Sequence, residues 1–151
     1  MTRARDLQSD FNEADESPGF LLWQITNRWQ AAQRAALRPL GLTHVQFVLL
    51  ASLTRLRTDG TVNQRDLADY ASIDPMMTSQ VLRTLEARDL VERTEDSNDK
   101  RAWSLTVTKK GMRLANRAIV VVEDCDGFFF GALDVPSFVA SLQLLKTVSS
   151  L

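Results

Sequence analysis

With 151 residues, of which 44% are hydrophobic and 25% charged, the chain has the length and composition of one globular domain. No apolar run approaches the roughly 20 residues that cross a bilayer, and the polar N-terminus lacks the apolar core of a secretory signal. A single cysteine excludes an intramolecular disulfide, so we expect a cytoplasmic protein with no membrane partner.

The net charge of −1 conceals an uneven distribution of basic and acidic residues. Residues 19–57 contain five arginines and no carboxylate, and basic residues outnumber acidic ones nine to six in residues 76–117. Nine of the 19 acidic residues lie toward the two ends of the chain, within positions 6–16 and 123–134. Because a phosphate responds to the local field and not to the total charge, the net charge does not exclude nucleic-acid binding. The simpler alternative is that the basic residues belong to an ordinary solvated surface.

The N-terminal region divides into an arm and a helix. Residues 1–18 are polar and acidic without periodicity, which predicts a flexible arm with a helical turn near Leu7–Phe11. Apolar residues then recur at helical spacing and alanines are frequent, which predicts a first helix over Gly19–Leu40. Pro39 and Gly41 are typical of a helix end.

A second helix is predicted to start after Thr43, because Thr43 and Gln46 form a capping-box pattern. The run Phe47–Leu56 is apolar nearly all round, so this helix should be central and buried. Asp59-Gly60 is a typical turn at its end.

A helix-turn-helix pair is predicted next. Thr61-Val62 is expected to form a very short strand, and Asn63 to cap a third helix through about Tyr70, with Leu67 and Ala68 facing inward. After a turn at residues 71–73, Asp74-Pro75 is a helix start, because Asp caps and Pro loses no hydrogen bond in the first turn.

The fourth helix has two distinct faces. Four residues at i, i+3, i+4 and i+7 should face the core: Thr78, Val81, Leu82 and Leu85. The remaining surface is polar and short of carboxylates before Glu86; it carries Met76, Met77, Ser79, Gln80, Arg83, Thr84 and Ala87. Strands Leu90–Thr94 and Trp103–Val107 follow, joined by a charged loop with a basic tip. This order indicates a winged helix-turn-helix, whose helix suits the major groove and whose tip reaches a phosphate or the minor groove.

Two more helices are predicted, from Thr108 to about Phe130 and from Asp134 to about Ser149, interrupted at Gly131. Together with the first helix they carry more apolar surface than a small winged module can cover. We therefore expect a symmetric homodimer built from both chain ends, which would present two helices to half-sites about 34–36 Å apart.

These elements resemble the MarR family of transcriptional regulators. The resemblance covers about residues 19–148 and is carried by four patterns: Gly41-Leu42-Thr43-x-x-Gln46-Phe47; Leu67-Ala68; Leu82-x-x-Leu85-Glu86-x-x-x-Leu90-Val91-x-Arg93; and Asp96-Ser97-Asn98-Asp99-Lys100-Arg101 before Leu105-Thr106-Val107-Thr108-x-x-Gly111. Asp89 stands where the family usually has Gly in a left-handed turn, and Ser97 stands where Pro is common. Neither change touches a residue expected to contact DNA.

The resemblance implies a fold and a domain plan. The fold is mainly α with a small β-hairpin wing (α+β). Residues 1–18 would be the flexible arm and 19–151 a single domain. Within that domain 43–108 would form the winged helix-turn-helix, and 19–40 and 109–151 the dimerisation helices.

The resemblance also selects DNA-contacting residues. In the recognition helix they are Met76, Met77, Ser79, Gln80, Arg83 and Thr84. Gln80 suits adenine, Arg83 suits guanine or a phosphate, and the two methionines suit thymine methyl groups. In the wing, Arg101 would enter the minor groove, Asp99 would orient it and Lys100 would contact a phosphate. Asn63 and Arg65 could position the DNA backbone. The alternatives are a solvated helix face, with Met77 half in the core, and an ordinary charged loop.

The same resemblance suggests an effector cleft between the dimerisation helices and the winged module, holding a small aromatic or phenolic ligand. Its candidate residues are Trp23, Asn27, Trp29, His44 and Phe47. The alternative is that these aromatic residues are simply core, and that His44 only accompanies the capping box.

Other chemistry is not expected. Cys125 lies among carboxylates, which raise a thiol pKa, so we expect an inert thiol. One His and one Cys do not form a tetrahedral metal site, and no enzyme motif or cofactor is indicated. The expected function is a ligand-responsive repressor acting as a homodimer on a pseudo-palindromic operator. A winged-helix protein–protein module without sequence-specific DNA binding is the alternative, and a ligand-blind activator a further one.

Overall fold

The computed structural model describes residues 7–56, 61–95 and 103–148. The elements are, in chain order, α1 (Pro18–Leu37), α2 (His44–Leu56), α3 (Gln64–Ala71), α4 (Pro75–Ala87), β1 (Val91–Glu95), β2 (Trp103–Val107), α5 (Lys109–Phe129) and α6 (Val135–Val148). The fold-class prediction, helices with a two-stranded antiparallel hairpin, is confirmed. Within the described ranges no single helix is long and apolar enough to span a membrane; only α1 with its 3-10 extension and α2 pass together, across a 77° bend.

The start of the chain differs from the prediction. The helical turn lies at Ala14–Glu16, not near Leu7–Phe11, because the Glu16 carboxylate accepts the N–H groups of Asn12 and Glu13 and closes a turn there. Ser17 then caps α1 through an N–H···Oγ bond from Phe20.

Helix α1 ends at Leu37, three residues before the predicted end. Pro39 has no N–H to donate to the α-helical ladder, so Arg38–Leu40 tightens into a 3-10 turn. Gly41 follows in the left-handed conformation with φ of 68°, which reverses the chain toward α2.

Helix α2 is central, as predicted. Its capping box is closed in both directions, with 3.1 Å bonds between Thr43 and Gln46. Leu49, Leu50 and Leu53 are fully buried in a core shared with α3, α4 and the hairpin. Phe47 belongs to a second core with Leu37, Leu42 and two residues of α5, Ala118 and Val122. The helix therefore joins the winged module to the long α1 and α5 helices.

The helix-turn-helix is built by local caps. Asn63 caps α3 through a reciprocal pair of bonds with Asp66. Ser72 adopts a left-handed conformation in the turn, with φ of 53°. The Asp74 carboxylate then accepts the N–H of Met77 at the start of α4. Leu67 and Ala68 are buried, as expected from the sequence.

The wing is anchored at its base. Asp89 is left-handed with φ of 59°, as predicted, and lets the Leu90 N–H donate to the Leu85 carbonyl at 2.9 Å. Strand β1 begins at Val91, one residue later than predicted, and pairs with β2 so that Arg93 faces Leu105. The Leu105 N–H also donates to the Val62 carbonyl at 2.7 Å. The very short strand predicted at Thr61-Val62 is therefore present as a single β-bridge to β2.

The last two helices leave apolar surface uncovered in the single chain. Thr108 caps α5 by accepting the Gly111 N–H at 2.9 Å. No residue of α6 from Val135 to Val148 is buried. Large apolar side chains are also exposed in the first half of α1, and Phe128 near the end of α5 is 93% exposed.

Candidate nucleic-acid interface and effector cleft

The reading surface of α4 is turned to solvent by the residues on its other side. Thr78, Leu82 and Leu85 are fully buried, and the Thr78 hydroxyl donates to the Asp74 carbonyl at 2.9 Å. The opposite surface is open: Met76 is 71% exposed and Met77 47%. The polar side chains beside them are also accessible, with Gln80, Arg83 and Thr84 exposed and Ser79 partly so. All six recognition-helix candidates thus share one accessible surface.

Glu86, the one carboxylate of α4, is neutralised by a partner from the wing. Arg93 Nε donates to Glu86 Oε1 at 2.8 Å, and both side chains are about three-quarters buried. This contact fastens the end of α4 to β1 and removes an unpaired negative charge from the neighbourhood of the reading surface. Sequence reasoning recognised both residues as family signature positions but did not pair them.

The remaining DNA candidates differ in how the structure presents them. Arg65 is exposed on the first turn of α3. Asn63 uses its side-chain oxygen to cap α3, which leaves only its amide N–H groups for a phosphate. The wing candidates Asp99, Lys100 and Arg101 lie outside the described residues.

A polar cluster lies where α1, α2 and α5 meet. Trp29 Nε1 donates to Asp126 Oδ1 at 2.8 Å, and Gln33 Nε2 donates to the same oxygen at 2.6 Å. The His44 ring packs edge-on against Trp29, with 5.0 Å between ring centroids. Gln33 is fully buried, and within the described part of the chain its Oε1 has no hydrogen-bond partner.

His44 is held toward its neutral form. Burial lowers the pKa of His44; Asp126 opposes this shift and Arg34 adds to it. His44 is also the first residue of α2, where the helix dipole disfavours a positive charge. The ring therefore contributes to the cluster as an uncharged aromatic group at neutral pH.

The five effector candidates do not share one cleft in this chain. Trp29 lines a cleft of about 410 Å³ between α1, α5 and α6, together with Asp126 and mostly apolar side chains. Trp23 is 68% exposed, and Asn27 turns its amide back to the Trp23 carbonyl at 2.6 Å. Phe47 is buried in the second core. Among these five, the described structure thus brings together only Trp29 and His44, and a largely apolar cleft lies among the terminal helices.

Sequence reasoning missed two members of this cluster, Asp126 and Gln33. In the sequence, Asp126 is one of several carboxylates around Cys125, and Gln33 is an ordinary polar residue of the first predicted helix. No local signal could have paired them, because 93 residues separate the two. The expected direction for the thiol agrees with the structure, although burial comes first and Asp126 second in raising the pKa of Cys125.

A helix-turn-helix with an outward reading helix and an antiparallel hairpin defines the winged-helix class of DNA-binding proteins. The MarR family model matches residues 42–103. An uncharacterized HTH-type transcriptional regulator, YdcH of Bacillus subtilis, is 43% identical over 141 residues, covering 91% of this chain and 96% of the relative. The HTH-type transcriptional repressor Rv2887 of Mycobacterium tuberculosis is 33% identical over 138 residues, with 91% and 97% coverage.

Solved structures agree with these sequence matches. The structure of CouR from Rhodococcus jostii RHA1 bound to p-coumaroyl-CoA superposes with a TM-score of 0.82 at 26% identity, covering 93% of this chain and 96% of that one. The chain therefore belongs to the MarR family of helix-turn-helix transcriptional regulators, which confirms the resemblance stated from the sequence.

Proposed function

We propose that this chain is a repressor that acts in the cytoplasm as a homodimer on a pseudo-palindromic operator and responds to a small aromatic or phenolic effector. One observation carries the DNA-binding part: three fully buried side chains fix α4 on the core and turn its carboxylate-free surface to solvent. The names of the relatives, a helix-turn-helix regulator and a repressor, support the same function.

The exposed side chains of α4 supply a chemistry for base recognition. The Gln80 amide matches the donor and acceptor of adenine, and Arg83 matches guanine or a phosphate. Met76 and Met77 offer apolar contacts to thymine methyl groups. Asn63 and Arg65 would hold the backbone. In the wing, Arg101 would enter the minor groove, oriented by Asp99, while Lys100 contacts a phosphate.

The uncovered apolar surface of α1 and α6 supports the dimer. An α6 helix without a single buried residue between Val135 and Val148 is unstable in water unless another surface covers it. We assign residues 19–40 and 109–151 to the dimer contact and residues 43–108 to DNA reading. A two-fold axis between the chains would place the two α4 helices about one DNA turn, roughly 34–36 Å, apart.

The cleft beside Trp29 supports an aromatic effector of defined polarity. Its lining is largely apolar, and Asp126 provides a carboxylate at its edge. A carboxylate accepts a phenolic hydroxyl and repels a second carboxylate, so a neutral phenol suits this cleft better than an aromatic acid. CouR, whose structure contains p-coumaroyl-CoA, supports the aromatic class. By linkage, an effector that weakens DNA binding must bind more tightly to the DNA-free protein.

Footprinting on the DNA that flanks the chain's own gene tests this function. We expect protection of a two-fold repeat, a dimer by sedimentation, and an affinity that falls steeply as salt rises. Gln80→Ala should lose about 1–3 kcal/mol of discrimination at one base pair per half-site. The matched control Gln8→Ala alters an exposed glutamine before α1 and should change nothing. Indifference to duplex DNA at every salt concentration would refute the proposal and favour a protein-interaction module.

A further inference from the structure

Two cavities meet at the side chain of Arg88, the residue that follows the end of α4. One, of about 380 Å³, lies between Arg88 and the first turns of α5. The other, of about 360 Å³, lies between Arg88, the end of α1 and the start of α2. We call the two together the Arg88 groove. Its charged residues are all cationic: Arg34, Arg38, Arg88, Lys110, Arg113 and Arg117.

The positive charge of this groove is not neutralised by the protein. No carboxylate lines either cavity, and none of the six cations forms an ion pair with a carboxylate among the described residues. Lys110, Arg113 and Arg117 follow at i, i+3 and i+7, so they form one stripe along α5. Like charges in such a stripe repel one another and weaken the helix. An arrangement that opposes stability in this way is relieved by a bound anion.

The groove is held in place at its centre. The Arg88 guanidinium donates to the Gly41 carbonyl at 2.7 Å and to Gln46 Oε1 at 3.4 Å. Lys110 Nζ donates to the Arg88 carbonyl at 3.1 Å, which is the usual role of a cation at a helix C-terminus. These bonds give structural roles to two of the six cations, Arg88 and Lys110. They do not explain Arg113 or Arg117, whose side chains are exposed and have no partner within the described ranges.

We propose that the Arg88 groove binds a phosphate-rich organic anion. Guanidinium groups pair with phosphate oxygens in bidentate fashion, and several arginines around one concavity suit more than one phosphate group. Leu40, Leu90 and Leu114 also line the cavity next to α5 and offer apolar contact to the organic part of the ligand. No residue in the described ranges lines both this groove and the cleft beside Trp29, so the two sites are separate.

The groove lies away from the DNA-reading end of α4. Met76 stands at the N-terminal end of that helix and Arg88 at its C-terminal end, about 18 Å apart at 1.5 Å per residue. The walls come from the end of α4 on one side and from α1 and α5 on the other. A bound anion therefore links the reading helix to the proposed dimerisation helices and alters operator affinity. This regulatory consequence rests on the proposed function, whereas anion binding itself does not.

Calorimetry on the full-length, DNA-free protein tests the site at low salt with EDTA present, using inorganic tripolyphosphate and ATP as probes. We expect one saturable event per chain and tighter binding of ATP, because only ATP has an organic part to contact the leucines. Arg117→Gln should weaken ATP binding about tenfold or more, the loss of one charge-assisted hydrogen bond. The control Arg28→Gln removes an exposed α1 arginine outside the groove and should change affinity less than twofold.

Absence of saturable heat with both probes, or an equal loss in Arg117→Gln and Arg28→Gln, would overturn the site. Arg113→Gln, one turn earlier on α5, provides a second variant with the same expected loss. ATP should change the operator affinity of the unaltered protein and of Arg28→Gln, and should change that of Arg117→Gln much less. An operator affinity that ATP leaves unchanged would overturn the regulatory consequence, whereas the anion site itself stands or falls with the calorimetry.

Discussion

Gly111 is the position where one added methyl group should have the largest structural consequence. A Cβ on Gly111 would lie 2.1 Å from the Leu90 carbonyl oxygen and 3.0 Å from its carbon, so backbone has to move. Overpacking against backbone atoms reduces the free energy of unfolding by about 3 kcal/mol, the upper end of the usual range. Replacing Gly by Ala inside a helix returns about 1 kcal/mol. We therefore expect Gly111→Ala to reduce the free energy of unfolding by about 2 kcal/mol.

The same helix offers a matched control. A Cβ on Gly127 of α5 would meet nothing within 4 Å, so Gly127→Ala should gain about 0.5–1 kcal/mol from helix propensity alone. Urea unfolding at one fixed protein concentration measures both changes, since an associating protein has a concentration-dependent stability. In thermal melts, Gly111→Ala should lower Tm by about 4–8 °C.

The Gly111 change should also reach the DNA-binding surface. Leu90 directly precedes β1 and its carbonyl accepts the Thr108 N–H at 3.1 Å, so displacing it moves the base of the wing. Operator affinity should fall more in Gly111→Ala than in Gly127→Ala, which lies 16 residues further along α5 from the base of the wing. If Gly111→Ala were as stable as Gly127→Ala, the close approach of α5 to Leu90 would not exist and this reasoning would be refuted.

Three further predictions concern the core of α4 and the cluster around Trp29. Leu82→Ala should cost about 2–5 kcal/mol in urea unfolding, because Leu82 is fully buried; a cost below 1 kcal/mol would contradict that packing. Asp126→Ala should cost about 2 kcal/mol, since Trp29 and Gln33 both lose their acceptor; an unchanged midpoint would show that these bonds are dispensable. The lowered pKa of His44 means that the unfolded chain takes up the proton first as pH falls through about 6.5, so acidification destabilises the fold. His44→Gln should lose less stability between pH 7.5 and 5.5 than the unaltered protein, and equal losses would exclude this role.

Much of the winged module could be predicted because its signals are local. The pairs Thr43–Gln46 and Asn63–Asp66 are each three residues apart, so a capping bond between them depends on the helix start alone. The inward positions of α4 follow from helical spacing in the same way. The observed ends of some elements differ from the predicted ones by a few residues. At the end of α1 the cause is Pro39, which cannot donate a backbone hydrogen bond to the helix.

The candidate sites were predictable only in part. The predicted DNA-contacting residues of α4 share one accessible face, because the helical repeat alone determines which side chains point the same way. The effector candidates do not share a cleft, because Trp23 and Phe47 lie on different faces of packed helices, and the period of each helix says nothing about which faces meet.

The chain's order of polar and apolar residues was enough to define its helices, its caps, its hairpin and the surface that α4 offers to DNA, since each depends on contacts within a few residues. Only tertiary packing decided that Asp126 accepts hydrogen bonds from Trp29 and Gln33, and that arginines of α1 and α5 lie around the same groove as Arg88. Those contacts join residues tens of positions apart. Helix packing brings such residues together through the burial of other side chains, so their spacing in the sequence does not predict their contacts.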